Sequence, residues 1–195
     1  ILKNTTAIVL IIVGILIFFQ GCSSYNGFVD KEENVNNAWA KVESSYQRRA
    51  DLIPNLVNTV KGYAAHESET LEAVVNARAK ATQTTINAEN MTAENMAQFQ
   101  EAQQGLTSAL SRLLVTVEKY PDLKANQNFL ELQAQLEGTE NRIKVARDEF
   151  NNEATIYNKA VKRFPGVLFA KLFGFSSKQT FEAAEGAEKA PEVKF

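Results

Sequence analysis

The chain opens on an unbroken apolar run and then changes character. From Ala7 the order is Ala7-Ile8-Val9-Leu10-Ile11-Ile12-Val13-Gly14-Ile15-Leu16-Ile17-Phe18-Phe19, with no polar residue. From Phe28 to Phe164 apolar residues recur instead at alternating spacings of three and four, the spacing of helices that pack along a seam. One stripe runs Val35, Ala38, Val42, Ser45, Arg49, Leu52, and Trp39 and Tyr46 widen it. The next runs Leu56, Val60, Tyr63, Glu67, Thr70, Val74, Ala77, Ala81. A third runs Met96, Phe99, Gln103, Leu106, Leu110, Leu113, Val117, Tyr120. The longest is Phe129, Leu132, Leu136, Thr139, Ile143, Ala146, Phe150, Glu153, Tyr157, Ala160, Phe164, broken only at Thr139 and Glu153.

Breaks between stripes set the helix ends. Tyr120-Pro121-Asp122 separates the last two, with Asp122 placed to cap the helix that follows. The polar stretch Thr82–Thr92 separates the second from the third, and Thr92 with Glu94-Asn95 opens the next helix. Pro54 lacks an N–H and clashes with the preceding turn, so a kink or restart is expected there, capped by Asp51. The predicted helices cover 28–52, 53–86, 92–119 and 123–163. The last would be about 60 Å long at about 1.5 Å per residue. The fold class is therefore all-α: an N-terminal membrane helix, then an elongated antiparallel four-helix, coiled-coil-like bundle. The first bundle helix is placed to continue directly from the membrane segment. Expected boundaries are 1–22 for the anchor, 23–164 for the bundle, 165–183 for an apolar tail and 184–195 for a disordered end.

Two readings of the apolar run stand side by side. With its flanks it reaches the roughly 20 residues that a transmembrane helix needs. The strict run is also of signal-peptide length, and it ends in Phe19-Gln20-Gly21-Cys22-Ser23. A small residue before a lone cysteine resembles a lipoprotein cleavage site, which makes Cys22 a lipidation candidate. Phe19 and Gln20 depart from that pattern, and the uncleaved helix is preferred. Membrane lipid is a partner in either case. Cations are too sparse on both sides to fix orientation, with Lys3 before the run and Lys31 after it.

Composition narrows the chemistry. There are 21 Lys and Arg against 23 Asp and Glu, one His and one Cys. A single cysteine builds neither an internal disulfide nor a multi-thiolate metal site. The net charge of -2 gives no bulk attraction to nucleic acid, so no nucleic-acid partner is expected. Catalytic, metal and cofactor-binding residues are expected to be none. His66-Glu67 has the residue types for general-base chemistry. No nucleophile stands at helical spacing to complete it, and a helix-end histidine is the preferred reading.

Arg48, Arg49 and Asp51 form the most chemical-looking cluster. An arginine fork here is expected to pair with Glu140 or Glu149 of the long last helix, with anion binding as the alternative. Asn141, Asn151 and Asn158 lie beside the last seam, either to select helix partners or as a solvated flank. The tail from Phe164 through Leu168, Phe169, Leu172 and Phe173 to Phe175 is too short to span a bilayer and too apolar for a linker. A protein contact, within or between chains, is preferred for it over a dip into the membrane surface.

Several strings resemble the bacterial LemA family. They are Tyr25-Asn26, Ala38-Trp39, and Arg48-Arg49-Ala50-Asp51-Leu52-Ile53-Pro54-Asn55-Leu56-Val57, then Tyr63, His66-Glu67 and Ala77-Arg78. Further on are Tyr120-Pro121-Asp122-Leu123, Glu140-Asn141-Arg142-Ile143, Tyr157-Asn158 and Phe173-Gly174-Phe175. The resemblance covers about 25–183. It implies a single membrane helix and a helical bundle in the bacterial envelope, and no reaction. Arg48, Arg49, Asp51, Leu52, Ile53, Pro54, Asn55 and Leu56 are the family motif, read as structural or interface residues. The leading expectation is a non-enzymatic scaffold that forms a homo-oligomer. A module binding a membrane-protein partner, a lipid or a signal is the second.

Overall fold

The apolar run and the first bundle stripe form one helix. In the computed structural model, which describes residues 2–88 and 91–181 with side chains from residue 6, α1 spans Leu2–Lys61. Its 60 residues reach about 90 Å at about 1.5 Å per residue. The other elements are α2 (Ser68–Gln83), α3 (Ala93–Val117), the short α4 (Pro121–Lys124), α5 (Gln127–Lys162) and α6 (Gly166–Phe173). No strand occurs among the described residues. Residues 184–195, expected to be disordered, lie outside the described residues.

Helix α1 lies against α5 and α2, and α2 lies against α3. Lys41 pairs with Glu149 and Arg49 with Glu140, so the α1 number rises as the α5 number falls. The two helices are antiparallel, as expected. Residues 6–20 of α1 stand outside this packing: Leu10 is 72% exposed and Phe18 67%. Among the described residues this is the one helix long and apolar enough to cross a bilayer.

Pro54 neither breaks nor restarts the helix, contrary to the expected boundary at 52/53. It sits inside α1, and the real turn comes at 62–67, so Asp51 caps nothing. Proline removes the N–H that would bond the carbonyl four residues back, which is that of Ala50. The Nε of Arg78, on α2, donates to that carbonyl at 2.7 Å. The released acceptor is thus satisfied by the neighbouring helix, and α1 stays intact while docking α2. Converting Arg78 to Met is expected to cost about 1.5–3 kcal/mol, the range for a hydrogen bond from a charged donor. In a Pro54→Ala background the restored N–H can bond Ala50 itself, and the same change should cost less. A double-mutant cycle in chemical denaturation checks the coupling.

Other ends follow local chemistry. Thr92 caps α3 in a full capping box with Asn95, as expected from the sequence. Asn126, rather than Asp122, caps α5 by accepting from the Phe129 N–H, because Pro121–Lys124 forms its own turn of helix. At this distal end the Tyr120 hydroxyl donates to Glu67, and Asn126 donates to the Tyr63 hydroxyl. The turn after α1 is thereby tied to the turn before α5.

Candidate functional site

Two apolar cores lie along the bundle. The one nearer the anchor holds Phe28, Val35, Trp39, Val42, Tyr46, Phe99, Phe150 and Tyr157. The distal one holds Ile53, Leu56, Val60, Leu71, Leu106, Leu113, Leu123 and Phe129. Between them sits a polar layer built on Arg49 of the first stripe and Gln103 of the third. Arg49, Gln103 and Thr139 are the buried polar residues among those described, and Thr139 bonds the Gln135 carbonyl of its own helix.

Arg49 is only 1% exposed. Its Nη1 donates to Glu140 at 2.8 Å and to the Thr107 hydroxyl at 3.0 Å. Its Nη2 donates to the Gln103 side-chain oxygen at 2.6 Å and to the Gln103 carbonyl at 3.3 Å. The guanidinium also lies over the Tyr46 ring, 5.2 Å from its centroid. Gln103 passes the network on, donating to the Ala81 carbonyl of α2 at 3.2 Å. One residue from α1 therefore addresses α3 and α5 directly and α2 through Gln103. Burial pushes the Tyr46 hydroxyl above its usual pKa, a shift that the nearby Arg147 and Arg49 oppose.

Of the expected cluster, only Arg49 is in this layer. Its partner is Glu140, while Glu149 takes Lys41 instead. Arg48 and Asp51 are exposed, and Asp51 accepts from Gln47. The rest of the motif divides by face. Ile53 and Leu56 are buried, Leu52 is half-buried, and Pro54 and Asn55 face outward. An open cleft of about 260 Å³ adjoins the layer, with Glu43, Tyr46, Gln47, Thr82, Phe99 and Gln103 among its walls. That is below the usual size of a small-molecule site. His66 lies exposed in the turn between α1 and α2, directly before Glu67, the N-cap of α2, and Glu67 engages Tyr120 rather than the imidazole. No group of three or more His, Cys, Asp or Glu side chains among the described residues is placed to hold a metal ion.

The tail makes a second built feature. After α6 the chain runs back along α5 in extended form. Asn158 bonds both backbone groups of Lys178, donating to its carbonyl and accepting from its N–H at 2.8 Å each. Asn151 does the same for Phe181, at 3.1 and 2.8 Å. The spacings match: seven helical residues rise about 10.5 Å, and three extended residues span about 10 Å. These asparagines therefore neither select helix partners nor form a solvated flank; Asn141, exposed, is the one that faces out. The Phe181 ring then enters the anchor-side core, stacked on Trp39 at 5.8 Å and edge-on to Phe150 at 5.6 Å. Arg147 covers its other side, 4.4 Å from the ring centroid. Lys178 pairs with Glu32 at 2.7 Å, joining the tail to α1.

Tyr157 lies beneath this strap. It is fully buried, and its hydroxyl has no hydrogen-bond partner among the described residues. Burial, with a smaller contribution from Glu32, pushes its pKa from 10.0 to about 12. Above about pH 10 the unfolded chain ionises this group first, so stability is lost as pH rises toward about 12. A Tyr157→Phe variant is expected to gain about 1 kcal/mol, by removing a buried unpaired hydroxyl. Its alkaline loss should also be shallower than wild type, which urea titrations at rising pH measure.

The family follows from the sequence match. A model described as the LemA family matches residues 38–195, which takes in the polar layer and the strap. The chain belongs to the LemA family. Similar proteins include Magnetosome protein MamQ of Magnetospirillum gryphiswaldense, 26% identical over 174 residues, or 80% of this chain. Magnetosome protein MamQ 2 of Paramagnetospirillum magneticum is 25% identical over 175 residues, or 81% of this chain. The chain spans 64% of the length of each of these relatives. Protein LemA of Metamycoplasma hominis is 22% identical over 170 residues, covering 87% of this chain and 74% of that protein. In this LemA-family chain the strings Arg48–Val57 and Tyr120–Leu123 thus have visible structural work: a polar layer, a docked arginine and a tied distal end.

Proposed function

We propose that this LemA-family chain is a non-catalytic scaffold that holds a rigid helical bundle at a bacterial membrane. The observation that carries the reading is the continuity of α1. An exposed apolar stretch and the buried face of the bundle are parts of one helix, with no linker between them. Its Arg49 joins α3 and α5 in a buried polar layer that fixes the register of the helices. The uncleaved helix is favoured over the lipoprotein reading, because cleavage before Cys22 would cut α1 where α6 crosses it.

Self-association enters this reading at the membrane end. The heptad seams that suggested it are used inside the chain, and so is part of the tail. The largest continuous apolar surface left for it among the described residues is the anchor stretch. Intact-mass measurement and sedimentation of the full chain in detergent test both points. An unmodified full-length mass with an assembly larger than one chain supports the proposal. A diacylglyceryl-modified chain lacking residues 1–21, or a clean monomer, overturns the corresponding half.

A further inference from the structure

Helix α6 has one face buried and another with no protein against it among the described residues. Ala170 is buried and the Phe169 ring lies on Gly21 of α1, where an added Cβ would sit 3.3 Å from it. Phe173 packs edge-on against Tyr25 at 5.2 Å. At its start Gly166 lies so close to α5 that a Cβ would meet the Ala160 carbonyl at 2.6 Å. The helix is thus seated firmly at one level of α1. In the turn before it Phe164 is 81% exposed, and on its outer side Leu172 is 74% exposed, with Leu168 also exposed.

The level decides what covers them. Gly21 and Tyr25 directly follow Phe18 and Phe19, the last residues of the exposed apolar stretch of α1. The outer face of α6 therefore continues the surface of the anchor sideways, at the point where α1 leaves the bilayer. Charge agrees. Residues 154–181 contain Lys159, Lys162, Arg163, Lys171 and Lys178 and no acidic residue. Lys178 is taken by Glu32, but Lys162, Arg163 and Lys171 are exposed around α6. Apolar side chains rimmed by cations are what an interfacial helix presents to anionic lipid.

We propose that α6 is a membrane-surface foot: Phe164, Leu168 and Leu172 enter the headgroup–acyl boundary while Lys162, Arg163 and Lys171 meet anionic headgroups. Eight residues would hold weakly alone, but attachment to α1 makes the contact intramolecular. A second point of lipid contact beside the anchor fixes the tilt and rotation of the bundle. This inference rests on the membrane anchoring proposed above.

Spin labels on single cysteines test it, using the full chain with Cys22→Ser in vesicles of phosphatidylcholine and phosphatidylglycerol. Labels go at Leu172→Cys, Ile12→Cys in the anchor and Val145→Cys on the exposed face of α5. At residue 172 high accessibility to oxygen and low accessibility to a water-soluble nickel chelate are expected. The oxygen-to-nickel ratio there should be several-fold above that at residue 145, and should fall in the Lys162→Gln, Arg163→Gln, Lys171→Gln variant. High nickel accessibility at 172 with a lipid-exposed residue 12 overturns the foot and leaves the anchor standing. Low accessibility to both reagents at 172 means protein covers α6, and overturns it equally. A water-exposed residue 12 removes the anchoring and the foot together.

Discussion

Replacing Arg49 with leucine is expected to lower the unfolding free energy by about 3 kcal/mol, the lower end for breaking a buried ion pair by removing one partner. The side chain is 1% exposed and serves four acceptor contacts on two helices. Its loss strands the Gln103 side chain in the layer between two apolar cores. Glu140, whose side chain is 45% exposed, can rehydrate, which keeps the cost at that lower end. Removing Glu140 instead should cost at least as much, because it leaves the buried cation with only neutral acceptors. Arg48→Leu, one residue away on the exposed face, should stay within about 0.5 kcal/mol. Chemical denaturation of the detergent-solubilised full chain, followed by circular dichroism, separates the three. An Arg48 effect as large as the Arg49 effect would contradict the assignment of the layer to Arg49.

Truncating Phe181 to alanine is expected to cost about 3–5 kcal/mol at the strap, the range for a buried phenylalanine. The ring fills space among Trp39, Phe99 and Phe150. Because residues 175–181 cross the bundle surface, the loss should appear first as local undocking rather than global unfolding. Trp39 is the single tryptophan and is 2% exposed under Phe181. Its emission should shift to the red in Phe181→Ala, with faster amide exchange at Lys178 and Phe181. Asn151→Ala and Asn158→Ala each remove two backbone partners and should move both readouts the same way, by about 1–3 kcal/mol. Unchanged Trp39 emission in all three variants would mean that the strap is not held as described.

How much of this was legible in the chain depends on whether the deciding partner was local. The all-α class, the anchor stretch, the antiparallel pairing and the Thr92 cap rest on periodicity and short-range chemistry, and each could be read directly. At Pro54 the helix does not restart, because the proline's local effect is answered from far away, by Arg78 on another helix. The polar breaks at Arg49 and Gln103 are visible one stripe at a time. Their meeting, with Glu140, depends on the relative register of three helices, which no single stripe contains. The strap left a trace in the seven-residue spacing of Asn151 and Asn158, which matches three extended residues. That signal becomes readable only once the tail is known to run back along α5. Of the apolar tail, Phe169 and Phe175 pack within the chain, whereas Phe164, Leu168 and Leu172 keep their exposure.

The central claim is that anchor and bundle are one rigid body joined through α1. Pulsed electron spin resonance between labels at Leu16→Cys and Asp51→Cys, in the Cys22→Ser chain held in lipid nanodiscs, measures it most directly. A continuous helix places these positions about 52 Å apart, from 35 residues at about 1.5 Å each. A single narrow distance near that value is expected. A broad distribution, or a mean shortened by a hinge near residues 20–26, would contradict it.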